Sequence, residues 1–490
     1  MNLLYRVVSA VRRSLSNVAS WRSREMTLQS IGVFLIFNGV TTASAFAQSV
    51  TPVIPPSGVI GIDEAMLSPE YWIAKTPDPD KVLMSPQEIA TRNTRMPAVD
   101  PMVHDLTKVT SPLSRAQVLA WLKEISNRPA KPLVDASGKI IPKATMDSIE
   151  ANAGEDKIPA SAKVRYGLSV RRAQLRTVPT SLRAFPSKEL LDFESFQGGT
   201  LFPGEPVIIA HASVDGRWYF VLGTQGPAWV AQTDIAEGTY EQVFSYQSKE
   251  PFRIVTGDEV RTVFTPEAPA VSELQLDMGT RIPLGVASEG KQVNGQGPYV
   301  SWILELPVRR DDGSLTFSPA LLRKVEGTSD GYLPLTRANI IRQAFKFLGE
   351  RYGWGHLYNA RDCSGFTSDV YRSMGVYILP DTRDQGRNPA FVHQVFSASD
   401  SHESRVKAVM DAQAGDLIVV PGHVLMILGH VHGEPYVIQD VPYAVFRDST
   451  GKVQMTKLNQ VSVTPLLPLL ADEQHTYVDA MTSLVHVTAH

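Results

Sequence analysis

The stretch Asp362-Cys363-Ser364-Gly365-Phe366-Thr367-Ser368-Asp369-Val370 contains the only cysteine in a chain of 490 residues. Aspartate is a good helix N-cap, because its short carboxylate accepts the orphan N–H groups of the first turn. Phe366 and Val370 follow at helical spacing, and Gly375 stands where such a helix would stop. The spacing predicts a helix whose first turn carries Cys363, among unsatisfied peptide N–H groups at the positive end of the macrodipole. That setting is expected to lower the thiol pKa and yield a thiolate nucleophile. The same N–H groups would stabilise an oxyanion. An inert core cysteine would belong on the apolar face, which Phe366 and Val370 already hold.

A thiol nucleophile needs a base, and the chain offers 11 histidines. His490 is terminal, His402 and His475 lie in polar stretches, and His430 and His432 sit at a turn. His423 is different: it follows Pro421-Gly422 and opens an apolar run, which places it at the rim of a sheet. The next strand offers Gln439, whose side-chain oxygen can accept from the imidazole Nδ1–H and orient the ring. Its neighbour Asp440 points to the other face by strand alternation. Upstream, Thr336 caps a helix with Ile341, Ala344, Phe345 and Leu348 in a stripe; downstream come strands at Asp416–Val420, His423–Leu428 and Tyr436–Gln439. Helices followed by strands is an α+β order. A lone cysteine with scattered histidines lacks the ligand spacing of a zinc site, so no metal and no other cofactor is expected.

Such a length accommodates about three or four domains of ~100–200 residues each. The formal net charge of −3 and the absence of a basic stripe argue against nucleic acid as a partner. Arg6, Arg12, Arg13, Arg22 and Arg24 precede the apolar run Ile31–Phe37 and the small-residue sequence Ala45-Phe46-Ala47, the order of a signal peptide cleaved after Ala47. The run is short of the ~20 apolar residues of a span, and no cysteine lies near the cut. Export without stable membrane insertion or lipid anchor is therefore expected, to the periplasm or cell wall. An unpaired cysteine in an exported protein suits a reactive thiol. Residues 48–162 are rich in proline and polar residues and read as a partly helical segment, with its clearest helix starting at Ser114. Residues 163–245 alternate β-rich runs with turns, as in Pro206–Ala210, Asp215-Gly216 and Trp218–Leu222. Residues 246–333 repeat the plan loosely, with Arg281–Val286, a turn at Gly295 and Gly297, and Tyr299–Val308. Two small barrels in tandem ahead of an α+β domain at 334–490 is the expected organisation. The sequence specifies no oligomeric state.

Five motifs in order, Tyr352-Gly353-Trp354-Gly355, Asp362-Cys363-Ser364-Gly365-Phe366, Leu379-Pro380 with Gln385, Gly415-Asp416-Leu417 and Gly422-His423-Val424, resemble the NlpC-type cell-wall peptidases, which have a papain-like fold. Val164–Ala236 resembles the bacterial SH3-like domain that precedes this catalytic domain in multidomain members. The resemblance implies hydrolysis of the bond between γ-D-glutamate and a diamino acid, such as meso-diaminopimelate, in peptidoglycan stem peptides. Members with SH3-like domains prefer a free N-terminal L-alanine. By position Tyr352, Asp362 and Ser364 would hold that end, and the first SH3-like domain would close the pocket and add an acid, Asp192 or Glu194. Catalysis would fall to Cys363, His423 and Gln439. Three positions depart from the family pattern: His356 stands for a second glycine, Asp381 for an arginine, and Gln439 for a third catalytic histidine. A wall-peptide binding module with a weakened catalytic domain is the alternative, and amidase or acyl-transfer chemistry on the same fold is a third.

Overall fold

The computed structural model describes residues 59–125, 131–286, 292–447 and 450–488; the signal-peptide reading falls outside them. The helix expected behind Asp362 runs Cys363–Arg372, and Asp362 caps it by accepting from the Gly365 N–H. Thr336 likewise caps Arg337–Phe345 through the Asn339 N–H. Both helices lie on one face of a six-stranded antiparallel sheet ordered Val392–Val395, Ser483–His486, Leu417–Val420, His423–Val431, Glu434–Arg447, Val453–Pro465.

The sheet separates two cores. Val424, Met426 and Ile438 pack with Phe366 and Val370 on the helix side, while Leu425, Ile427 and Val437 pack with Val409 and Val478 on the other. A strand covered on both faces must be apolar at consecutive positions, which is why Val424–Leu428 reads as an unbroken run. The third expected strand, Tyr436–Gln439, is only the start of Glu434–Arg447. That longer strand slips register between Val441 and Tyr443, at Pro442. A proline lacks the N–H for a ladder bond and is tolerated at such a bulge, so a local break in the sequence pattern hides a continuous strand.

The first barrel is a seven-stranded sheet ordered Gln197–Leu201, Ala173–Arg176, Gly226–Ala231, Trp218–Gly223, Pro206–Ala212, Arg165–Ser169, Ile235–Gly238. The Asp215-Gly216 hairpin is present, with Ile208 opposite Leu222. The second β unit differs in detail from one closed barrel. Three small sheets, including the hairpin of Ser301–Arg309 with Leu315–Arg323, surround a core of Val255, Val260, Leu276, Ile282, Leu304 and Leu322. Its Arg281 strand stops at Pro283.

Among the described residues the N-terminal segment contains the helix expected at Ser114, as Arg115–Ile125, and three others, Pro69–Ile73, Pro86–Val99 and Lys143–Asn152. Pro86–Val99 starts with a Ser85/Glu88 capping box. The segment is built into the C-terminal domain: Trp72, Met66, Met84, Ile89 and Met96 belong to the helix-side core. Arg92 Nη1 donates to Val487 O at 2.6 Å and Asn93 Nδ2 to Gly375 O at 2.7 Å. Among the described residues no helix is long and apolar enough to cross a membrane.

The three folded units meet at a buried charge cluster behind the Cys363 helix. Arg361 is fully buried, and its guanidinium contacts Asp369 (2.7 Å), Glu350 (2.8 Å) and Asp277 (3.0 Å), and donates to Asp258 O. Asp277 and Asp258 come from the second β unit. Arg172, from the first barrel, adds a 3.3 Å contact to Asp277 and donates to His356 O and Ala360 O. A buried guanidinium is tolerable only with such paired carboxylates, so the cluster fixes the three units relative to one another.

Candidate active site

Cys363 occupies the first turn of its helix and is buried in the same core as Phe366 and Val370, because i, i+3 and i+7 share a helix face. This is contrary to the expectation that those two hold the apolar face without it. The thiol lies against the start of His423–Val431. That strand follows a two-residue turn in which Val420 pairs with His423 and Gly422 adopts φ +83°, a conformation easy for glycine alone. The turn sets His423 at the strand's first position and aims the Val424 N–H at the Cys363 sulfur, which also meets Thr382 Oγ1 at 3.7 Å.

His423 is held by a buried chain. Its Nε2 lies 2.7 Å from Gln439 Oε1, and Gln439 Nε2 donates to Thr464 Oγ1 at 2.7 Å. An amide oxygen only accepts, so this contact keeps the ring proton on Nε2 and leaves Nδ1 as the basic nitrogen. The sequence reading placed the Gln439 bond on Nδ1; the structure reverses the two nitrogens. The pairing of neighbouring strands identifies the partner residue, whereas only the ring's rotamer identifies the atom.

The expected thiolate is a second correction. Burial pushes the Cys363 thiol up to about 12; the Asp362 carboxylate adds to the rise, and the Val424 N–H and Thr382 hydroxyl oppose it. Burial also pushes His423 down to about 4, against the bond it donates to Gln439. The resting pair is a neutral thiol and a neutral imidazole. Desolvation disfavours both charged forms and outweighs the helix terminus, whose effect is modest and local.

Asp362 does more than cap. Its Oδ1 accepts from the Gly365 N–H at 2.8 Å and Ser364 Oγ at 3.0 Å, and its Oδ2 accepts from the Gly355 N–H at 2.9 Å. One carboxylate thereby ties the nucleophile helix to the aromatic loop, and burial raises its pKa. Ser364 Oγ also reaches Pro380 O at 3.1 Å. Tyr352 packs with Trp354 against Leu190 and Phe193 of the first barrel, which brings that barrel over the Tyr352 side of the site.

The two barrel acids separate. Asp192 is beside this contact, 3.7 Å from Arg351 and 3.6 Å from Lys457, and its charge acts on Tyr352. Glu194 is wholly internal: it pairs with Arg176 and accepts from the N–H groups of Ala184 and Phe196. Its charge is matched by the Arg176 guanidinium inside the barrel and none is left for an ammonium, so Glu194 is a structural acid, contrary to its candidacy from the sequence.

The family departures have local explanations. His356 lies edge-on to Phe202 at 5.6 Å between ring centroids, and its ring fills the space beside Gly365, where a Cβ would meet it at 2.4 Å. Asp381 caps Thr382–Gln385 by accepting from the Arg383 and Asp384 N–H groups, and so sets Thr382 next to the thiol. Thr382, Thr464, Arg361 and Asp440 are site or supporting residues that sequence reasoning did not assign. Among the described residues no cluster of His, Cys, Asp and Glu could hold a metal ion.

Residues 349–460 match the family described as NlpC/P60, and residues 183–231 match an SH3 domain of the SH3b1 type. The C-terminal domain is an NlpC/P60 domain. A gamma-D-glutamyl-L-lysine dipeptidyl-peptidase of Bacillus cereus is 32% identical over 167 residues, which is 33% of this chain and 44% of that protein. The match thus spans less than half of that relative's length. The solved structure of an NlpC/P60 endopeptidase from Photobacterium damselae subsp. piscicida aligns with a TM-score of 0.66 at 16% identity, over 84% of this chain and 95% of that one. At that identity the likeness concerns the fold alone: the NlpC/P60 domain and the elements before it share an arrangement.

Proposed function

We propose that this protein is an exported cysteine endopeptidase that hydrolyses the γ-D-glutamyl–L-diamino acid bond of peptidoglycan stem peptides bearing a free N-terminal L-alanine. The observation that carries this reading is the convergence of a helix-capped thiol, the Val424 N–H and the His423–Gln439–Thr464 chain at one strand end.

In the proposed mechanism His423 Nδ1 removes the thiol proton as Cys363 Sγ attacks the glutamyl amide carbon. Because the resting pair is neutral, proton transfer accompanies attack and is not completed beforehand. Gln439 stabilises the imidazolium by accepting from Nε2–H. The first-turn N–H groups of the helix stabilise the oxyanion. Collapse expels the diamino acid amine, which takes the proton from His423, and water then releases the acyl group from sulfur. Tyr352, Asp362 and Ser364 form the amine end, with Asp192 at its border. The printed activity of the Bacillus cereus relative supports the bond class, and the SH3-like domain supports a wall peptide as partner and an envelope location.

The test is mass spectrometry of products from free and N-blocked stem peptides. Cys363→Ala is expected to abolish release of L-Ala-γ-D-Glu with the circular dichroism spectrum unchanged; continued release overturns the mechanism. One observation favours the binding-module reading: the thiol is buried and high in pKa. Product analysis separates the two, since a binding module returns the stem peptide intact while the enzyme releases L-Ala-γ-D-Glu.

A further inference from the structure

Asp440 is a carboxyl beside the nucleophile for which the mechanism above has no use. It is wholly buried, and neither side-chain oxygen has a hydrogen-bond partner. A buried polar group without a partner is costly and calls for a reason. Asp440 follows Gln439 on Glu434–Arg447, so the two side chains leave opposite faces of the strand. Gln439 reaches His423; Asp440 shares its face with Ile438, which packs in the helix-side core with Cys363. The charged and titratable groups around it are the Asp362 and Glu350 carboxylates and the Arg361 guanidinium, and its own charge acts on Cys363 and Tyr352. The Arg361 charge opposes the burial-driven rise in the Asp440 pKa but makes no hydrogen bond to Asp440, because that guanidinium is engaged by Asp369, Glu350, Asp277 and Asp258 O. An aliphatic residue there would continue the face begun by Ile438, so the position carries an acid against local packing preference.

We propose that Asp440 is a second acid of the amine-binding end, acting with Asp362 to select peptides with a free α-ammonium group. This deepens, and rests on, the function proposed above. In the empty site, burial and the Asp362 and Glu350 carboxylates push the Asp440 carboxyl well above the usual carboxylate range, which favours its protonated form. An ammonium docking on Asp362 offsets that carboxylate's charge and lets Asp440 ionise, and the proton leaves to solvent. One positive charge enters and one leaves, so the buried site keeps its net charge. An N-acetylated peptide brings no charge and gains nothing from Asp440.

The experiment compares kcat/KM for L-Ala-γ-D-Glu-diamino acid peptides with free and acetylated amino ends, in the full-length wild type, Asp440→Asn and Asp440→Val. The free-to-blocked ratio is expected to fall at least roughly tenfold in both variants, the scale of a lost charge-assisted interaction, with the change carried in KM. Calorimetry in two buffers of different ionisation heat supplies a readout that a structural role would not move. Binding of the free-amine peptide to Cys363→Ala should release protons, and Cys363→Ala with Asp440→Asn should release fewer. A wild type without preference for the free amine overturns the substrate proposal and this inference together. A wild-type preference that survives in both variants overturns the role of Asp440 alone. If both variants fail to fold, the carboxyl is a structural member and the inference falls.

Discussion

Truncating Gln439 to alanine removes both bonds of the His423–Gln439–Thr464 chain, each 2.7 Å long. His423 is only 4% exposed and Gln439 1%, so water does not replace the lost amide. The Nε2–H is left as a buried unpartnered donor, at about 1–3 kcal/mol. The void left by the side chain adds about 1 kcal/mol. A stability loss of about 2–4 kcal/mol follows. Catalysis is affected separately. Without Oε1 the ring proton is free to move to Nδ1, which disables the base, and the imidazolium loses its acceptor. A hydrogen bond to a charged group is worth about 1.5–3 kcal/mol, so kcat is expected to fall roughly 10–100-fold with KM little changed. Gln439→Glu keeps an acceptor and adds a charge that favours imidazolium. It should retain most of the wild-type kcat and move the acid limb of the rate profile to higher pH. Initial rates on a defined free-amine peptide, with chemical denaturation in parallel, measure both effects. If Gln439→Ala keeps kcat within twofold of wild type while losing the expected stability, the chain is structural and His423 is oriented by its strand alone.

The pH profile of kcat/KM should be a broad plateau with its acid limb near the His423 value of about 4; a limb near 6.5 would show that the free enzyme does not bury the ring as the structure has it. The same shifts act on stability: His423 is lowered from 6.5 to about 4, so its contribution is lost as pH falls through that window. Cys363 is raised from 9.0 to about 12, so its contribution is lost as pH rises through that one. Cys363→Ala should therefore flatten the alkaline decline in denaturation midpoint, and an unaltered decline refutes the assignment. Asp277→Ala leaves Arg361 and Arg172 short of a buried carboxylate and should cost about 3–5 kcal/mol, read as protease cleavage between the β unit and the catalytic domain. Trp72→Ala should cost about 3–5 kcal/mol in the C-terminal domain, although Trp72 lies far from it in sequence; an effect confined to the N-terminal segment would refute the shared core.

Local signals made the catalytic elements legible. Asp362 and Thr336 are caps whose partners lie three residues away, and the Pro421-Gly422 turn fixes where His423 begins its strand. Residues that act across the fold were not legible. Nothing local marks Asp277 as the partner of Arg361, and Glu194 looked available because nothing local marks Arg176 as its partner. The thiol's pKa followed the same rule. The helix terminus is visible in sequence, but the burial that overrides it is contributed by several elements together. Pro442 concealed half of a strand because a register slip is a property of two strands.

The N-terminal segment has a consequence in time. Arg92 binds Val487 O across 395 positions of chain, and Trp72, with its N-terminal neighbours, completes a core most of whose members lie beyond residue 335. The earliest described residues to be synthesised are thus among the last to find their partners, and closing so long a loop is slow. The C-terminal domain cannot reach its final packing until the residues up to Val487 are present. A cleft wired across the fold in this way takes its final shape only after Arg92 and Trp72 have met their distant partners.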